Sequence, residues 1–299
     1  GNSMRKQFKN TVMDLAAEDD SIVMILGDVS VYLFNDFKEK YPDRFYNMGI
    51  CENTLISVGA GLSSQGFSPF VHTIAPFVTE RSYEQIKLDM CYNRFGGNVV
   101  SCGASFDYAW DGATHHCYTD LAILRLLPGM EVIQPGSNKE VDALVRSQYD
   151  NGKPTYFRLS DHPHDIDIPD IEFGKAAVLQ NRDSNLTVMT AGPILGNVLE
   201  ACKNLDVNLV YFHTIKPIDT ETIEAFKHTT ILVVHDAFGL YEAVCEVPGL
   251  SVFRHGMGDE FCSWYGTLPQ TRKRIGLDVE SLNKTIQDKL DRVCCGLSG

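Results

Sequence analysis

The chain has 299 residues, 44% of them hydrophobic and 22% charged, with a formal net charge of -13. This is a folded composition, long enough for two core-bearing domains, and its acidity without a basic stripe argues against nucleic acid as a main partner. No apolar run approaches the ~20 residues of a membrane-spanning helix, no signal peptide is read, and nine scattered cysteines without a C-x-x-C pair fit reduced thiols in a cytoplasmic protein better than disulfides or zinc.

Gly1-Asn2-Ser3 ahead of Met4 reads as the remnant of an expression tag. Arg5 to Glu18 predicts an amphipathic helix with Phe8, Val12 and Leu15 on one face. Ile22 to Leu26 is a continuous apolar run ending at Gly27-Asp28, the pattern of a buried parallel strand meeting its loop. Such strand ends face ligands in open parallel sheets. Asp28 is therefore a candidate site residue, with a plain turn cap as the competing reading. Arg44 to Gly49 reads as a short strand running into a turn.

Glu52 follows, and then Thr54 to Leu62, an apolar, small-residue helix without a wide polar face and so expected to be buried. Gly59, Ala60 and Gly61 would admit another backbone closely, at roughly 1 kcal/mol of helix propensity per glycine. A lone carboxylate at the entrance of such a helix has two readings. It offsets the helix dipole, or, because burial disfavours a charged carboxylate, it carries a proton near neutral pH.

Ser68 to Ile74 reads as a strand and Thr79 to Tyr92 as a helix with Tyr83, Ile86 and Met90 on one face. Asn98 to Cys102 is another buried strand, Gly103 to His116 a long loop, and Asp120 to Leu127 a short helix stopped by Pro128-Gly129. A strand at Glu131 to Gln134, a helix at Asn138 to Tyr149 and a strand at Pro154 to Leu159 that closes the sheet complete a doubly wound α/β domain. Asp161 to Asp170, charged and with two prolines, reads as the linker. A second α/β set follows: a strand and turn at Leu186 to Pro193, strands at Val207 to Phe212 and Thr230 to Val234, and helices at Leu195 to Lys203, Glu221 to Phe226, Leu240 to Cys245 and Leu282 to Val293. The expected division is 4–161, a linker at 162–172, and 173–299.

Arg44-Phe45-Tyr46-Asn47-Met48-Gly49-Ile50-Cys51-Glu52-Asn53, then Ala60-Gly61-Leu62, Pro69-Phe70, Phe77, Arg81 and Gln85-Ile86 resemble the pyrimidine-binding domain of transketolase-type thiamine diphosphate enzymes. The resemblance continues through Asp111-Gly112-Ala113-Thr114-His115-His116 and Leu127-Pro128-Gly129-Met130-Glu131-Val132-Ile133-Gln134-Pro135, and more weakly to the C-terminus. It implies two consecutive open α/β domains with mostly parallel sheets: a pyrimidine domain, then a transketolase C-terminal domain. It implies that Glu52 shares a proton with N1′ of the cofactor's aminopyrimidine, favouring the imino form that generates the reactive ylide. Phe77 matches the aromatic that stacks on that ring, and Asp28 a family aspartate. Ile74 matches a position that is often aromatic, and Glu80 one that is often tyrosine, so the ring pocket is less aromatic than usual. Asp111 and His115 match residues beside the cofactor and the sugar hydroxyls. A histidine suits proton loss from a ketose hydroxyl and proton gain by an aldehyde near pH 7. His116 replaces a family glutamine.

Departures narrow the substrate. Gly103 stands where transketolases carry another histidine. Tyr32 and Asp161 stand where they hold sugar phosphate with serine and arginine, and Asp161 would repel a phosphate. Arg158 is the nearby cation that could substitute. The implied substrate is an unusual ketose or keto acid. Neither Gly27-Asp28-Val29 nor Gly258-Asp259-Glu260 completes the family's metal motif, in which a carboxylate at a glycine turn serves Mg²⁺. The resemblance therefore implies the second half of a split enzyme. An N-terminal transketolase subunit would bring the diphosphate-binding domain and Mg²⁺ or Ca²⁺, thiamine diphosphate would lie between the chains, and two heterodimers would pair. The alternatives are the β subunit of a 2-oxo acid dehydrogenase first component and a non-catalytic scaffold or regulatory paralogue.

Overall fold

The structure, a computed structural model, describes residues 3–297. Gly1 and Asn2, part of the stretch read as a tag remnant, and the last two residues lie outside that range. Six strands come first in the chain: β1 (Ile22–Leu26), β2 (Phe45–Asn47), β3 (Ser68–Ile74), β4 (Gly97–Cys102), β5 (Glu131–Ile133) and β6 (Pro154–Arg158). They pair in parallel. Every residue of β1, β4, β5 and β6 is buried, which explains the unbroken apolar run of β1: helices cover both faces, so neither face needs to be polar. The helices Met4–Glu18 and Asn138–Gln148 cover one face, where Phe8, Val12, Val141 and Val145 pack on Ile22, Met24 and Phe157. Each such buried side chain contributes about 1.5–3 kcal/mol.

Six more strands follow: β7 (Ala177–Gln180), β8 (Leu186–Ala191), β9 (Asn208–Phe212), β10 (Thr214–Lys216), β11 (Thr230–Val234) and β12 (Ser251–His255). Five of them form a second sheet in the order β12-β11-β8-β9-β7, parallel except for β7 at its edge. The sixth, β10, leaves it. It joins the first sheet, whose order is β10-β5-β6-β4-β3-β1-β2, and pairs antiparallel with β5. Lys216 Nζ also donates to the Leu127 carbonyl at 2.6 Å. The two units are thus stitched together by a shared strand, and one apolar cluster runs from Leu121 and Leu124 to Leu240 and Val244 across the join.

Several expectations need correction. β6 does not close its sheet; it lies between β4 and β5, which pairs on its outer side, and β10 from the second unit forms the edge beyond β5. The helix Glu52–Ser64 is buried on one side only: Leu55, Ile56, Gly59 and Ala60 face inward, while Asn53, Thr54, Ser57 and Gly61 are exposed. Only Gly59 serves a close approach, since an added Cβ would stand 2.8 Å from Val71 Cγ2, and Gly61 meets nothing. The helix read over Thr79–Tyr92 is broken. A single turn at Ala75–Val78 stops where Thr79 Oγ1 donates to the Ala75 carbonyl and Ser82 Oγ to that of Phe77, side-chain bonds that compete with helix continuation. It resumes at Tyr83 and widens into π-helical turns over Ile86–Tyr92.

Among the described residues no helix is long and apolar enough to cross a membrane. All nine cysteines are free.

Candidate active site

The sequence-derived candidates gather at the C-terminal ends of β1 to β4, where parallel α/β sheets present their ligands. Glu52 opens its helix directly after Cys51 and is only 3% exposed. Its Oε2 lies 3.1 Å from Nη1 of Arg81. The same guanidinium sits over the half-buried ring of Phe77, 4.5 Å from its centroid. Phe77 in turn meets the His115 ring edge-on, centroids 5.4 Å apart. Glu52, Arg81, Phe77 and His115 therefore form one continuous line of contact. Ile74, half-buried at the end of β3, precedes Phe77 by one turn of chain.

The loop carrying Asp111 and His115 is shaped by Gly112, at φ +77°, where a Cβ would come within 2.6 Å of the Tyr265 ring. Only glycine lets the loop turn there and pass beneath a ring from the second unit. Asp111 is exposed in the helical turn Ala109–Asp111. His115 Nδ1 pairs with Thr114 Oγ1 at 2.9 Å. His116 turns inward, 5% exposed and edge-on to Phe106. Burial lowers its pKa, with a smaller opposing pull from the Ala109 carbonyl.

Asp28 is exposed, with φ at +59°, and exchanges hydrogen bonds with Asn47 at the end of β2: its N–H donates to Asn47 Oδ1 at 2.9 Å and its Oδ1 accepts from Asn47 Nδ2 at 3.3 Å. It faces a separate hollow with Ser30, Val31, Tyr32 and Leu33. Beneath it His72 is wholly buried, held by Ser30 Oγ and the Val100 carbonyl, each at 2.9 Å, and desolvation pushes it down to about 4.

Arg158 does not stand where a substrate anion could reach it freely. It is 3% exposed, paired with both oxygens of Asp120 at 2.9 and 3.2 Å, and donates to the Cys117 carbonyl at 2.9 Å. Its charge is spent on the floor of the loop. Asp161 is likewise engaged: Arg5, from the first helix, grips it in two bonds at 3.0 and 3.1 Å.

Three contributors carry no role in the sequence pattern. Arg81 was visible only as part of a motif and carried no role. Phe261 and Tyr265, from the second unit, lean over the Asp111–His116 loop; nothing in their sequence neighbourhood signals this.

The residues fit an aminopyrimidine cofactor. A buried first-turn carboxylate offers a ring nitrogen a proton partner, and a half-exposed aromatic ring beside it offers a stacking face. Glu52 and Phe77 would hold that ring, with Ile74 beside them. This is the class of two-unit α/β chains that bind the pyrimidine end of thiamine diphosphate. Residues 1–162 match the family described as transketolase, pyrimidine binding domain, and residues 174–257 match transketolase, C-terminal domain. The chain belongs to the transketolase family.

Among its relatives is an apulose-4-phosphate transketolase subunit of Phocaeicola vulgatus, 31% identical over 94% of this chain and 95% of that one. The 6-deoxy-6-sulfo-D-fructose transketolase subunit SqwH of a Clostridium species is 26% identical over 97% of this chain and 95% of its own. A solved structure described as a split gene transketolase, inactive beta4 tetramer, superposes with a TM-score of 0.86 at 29% identity, covering 97% of this chain and 99% of that one.

Proposed function

We propose that the chain is the pyrimidine-binding and C-terminal subunit of a two-component, thiamine diphosphate-dependent transketolase. In this reading it moves a two-carbon ketol unit from a ketose to an aldose. The observation that carries it is the contact line Glu52–Arg81–Phe77–His115 at the strand ends. Thiamine diphosphate supplies the carbanion chemistry when bound. Glu52 holds the proton at pyrimidine N1′. Phe77 supports the ring face, worth about 0.5–1.5 kcal/mol beyond burial. His115 takes the proton from the ketose hydroxyl as the carbon–carbon bond breaks and returns one to the acceptor aldehyde, and Asp111 and His116 take sugar hydroxyls. Asp28, at the end of β1, takes part in holding the cofactor from the neighbouring hollow it shares with Ser30 and Tyr32.

A second subunit completes the site in this account. It carries the diphosphate-binding domain and holds Mg²⁺ or Ca²⁺, and two heterodimers pair in the cytoplasm. The face around the candidates supports this: Tyr32, Ile50 and Trp110, at 90%, 73% and 60% exposure, are large apolar groups left in water around it, as expected of a surface awaiting a partner. The relative named as an inactive tetramer of β chains supports it too.

The substrate is an unusual sugar. Both guanidinium groups near the expected phosphate position, Arg158 and Arg5, are already neutralised by carboxylates. The test is to reconstitute the chain with a second subunit carrying Gly-Asp-Gly and a downstream Asn, encoded beside it, and to assay ketol transfer across a panel of ketoses. Efficient turnover of xylulose 5-phosphate with ribose 5-phosphate would contradict the substrate assignment, and no transfer from any ketose would contradict the function.

A further inference from the structure

A cavity of about 220 Å³ is lined by Glu80, Ala113, His116, Tyr118, Thr119 and Phe261. Glu80 follows Phe77 by three residues, and Ala113 and His116 flank His115 in the chain, so the cavity is lined from the same two segments that carry the candidate chemistry. Its volume is below the range of about 300–1,000 Å³ that holds a whole ligand. It suits one end of a sugar chain whose other end is at the reacting centre.

Two features mark it as a place for a ligand. His116 is 5% exposed, and apart from the nearby Ala109 carbonyl neither ring nitrogen has a hydrogen-bond partner. A buried polar group is rarely left so unless something unbound completes it. Glu80 is fixed in the cavity wall, because its Oε1 accepts from Thr119 Oγ1 at 2.7 Å and from Cys117 Sγ at 3.5 Å. The cover comes from the second unit: Phe261 is 78% exposed and borders both this cavity and an adjoining hollow with Arg254, Asp259 and Glu260. Arg254 is turned away to the Phe238 ring and the Met257 carbonyl. Carboxylates thus outnumber cations along the path.

We propose that this cavity is the subsite for the uncharged, hydroxyl-bearing end of the sugar, with His116 and Glu80 bonding its hydroxyls and Phe261 covering its apolar face. The assignment rests on ketol transfer being the activity. A hydroxyl can donate to the Glu80 carboxylate and to the free imidazole nitrogen, and can accept from the imidazole N–H. A phosphate in the same place would face Glu80 with like charge and no counter-cation. The second unit thereby becomes a determinant of specificity.

Steady-state kinetics of the reconstituted holoenzyme test this, with xylulose and xylulose 5-phosphate as alternative donors. The wild-type pair should use xylulose in preference. H116A and F261A should each raise KM for xylulose at least tenfold with kcat little changed, and H116Q, which keeps the volume, should recover part of the loss. E80R, at an exposed position, should raise kcat/KM for xylulose 5-phosphate at least tenfold and lower it for xylulose. Wild-type turnover of xylulose with KM unmoved in all four variants overturns the subsite and leaves the transketolase reading standing. Failure of the wild-type pair to transfer from either donor overturns both.

Discussion

Glu52 and Arg81 form an ion pair at 3.1 Å, with the carboxylate side chain 3% exposed and the guanidinium 49% exposed. The acid that the proposed reaction depends on is therefore engaged before any cofactor arrives. Glu52→Gln keeps the volume and the hydrogen bonding but cannot hold and release a proton. The reconstituted pair carrying it should lose at least ~100-fold in ketol transfer, the usual span of a general acid–base contribution, with an unchanged circular-dichroism spectrum.

Arg81 also covers the ring that the pyrimidine would stack upon. A half-exposed cation over a ring, together with a solvent-screened ion pair, amounts to about 1 kcal/mol of competition. Arg81→Ala should therefore tighten thiamine diphosphate binding to the reconstituted pair several-fold by titration calorimetry. Weaker binding would mean that Arg81 holds the cofactor rather than its place.

Asp120 and Arg158 are both buried, and the arginine also carries the Cys117 carbonyl. Removing one member of such a pair strands the other's charge, at a cost of about 3–5 kcal/mol. Asp120→Ala should lower the melting temperature of the isolated chain sharply, and Arg158→Lys should fail to rescue wild-type stability because an ammonium cannot match the two-oxygen grip.

His72 sets a pH dependence. Its folded pKa is pushed down to about 4 by burial, while an unfolded histidine titrates near 6.5. Above pH 6.5 neither state is protonated and the group contributes nothing to the slope. As pH falls from 6.5 towards 4, the unfolded chain gains a proton that the folded one refuses, and stability drops by about 3 kcal/mol. His72→Gln lacks this loss. The stability gap between wild type and variant, followed by denaturant melts, should narrow on acidification across that window and stay constant above it.

Much of the first sheet could be read from the chain because burial on both faces leaves predominantly apolar stretches, continuous at Ile22–Leu26 and interrupted only by Ser101 after Asn98 in Asn98–Cys102. The strands that escaped are those with weaker signals. Ala177–Gln180 and Ser251–His255 are half-exposed edges, and Thr214–Lys216 is three residues long and takes its meaning from a partner about eighty residues away, around Val132–Ile133. The helix Leu268–Arg274 was legible in principle, since Thr267 and Gln270 form a capping box with Pro269 in the first turn. Within the site, the family resemblance pointed to Glu52, Phe77 and His115. It could not show that Arg158 and Asp161 are paired, because Asp120 and Arg5 lie far from them in sequence.

The central claim is that Glu52 meets thiamine diphosphate at a seam between two chains. The most direct measurement is cofactor titration of this chain alone, the second subunit alone, the mixture, and the mixture with Glu52→Gln, each followed by the near-ultraviolet circular dichroism of the pyrimidine tautomers. The account predicts the iminopyrimidine signal in the wild-type mixture only. The same signal from the Glu52→Gln mixture, or from this chain alone, would contradict it.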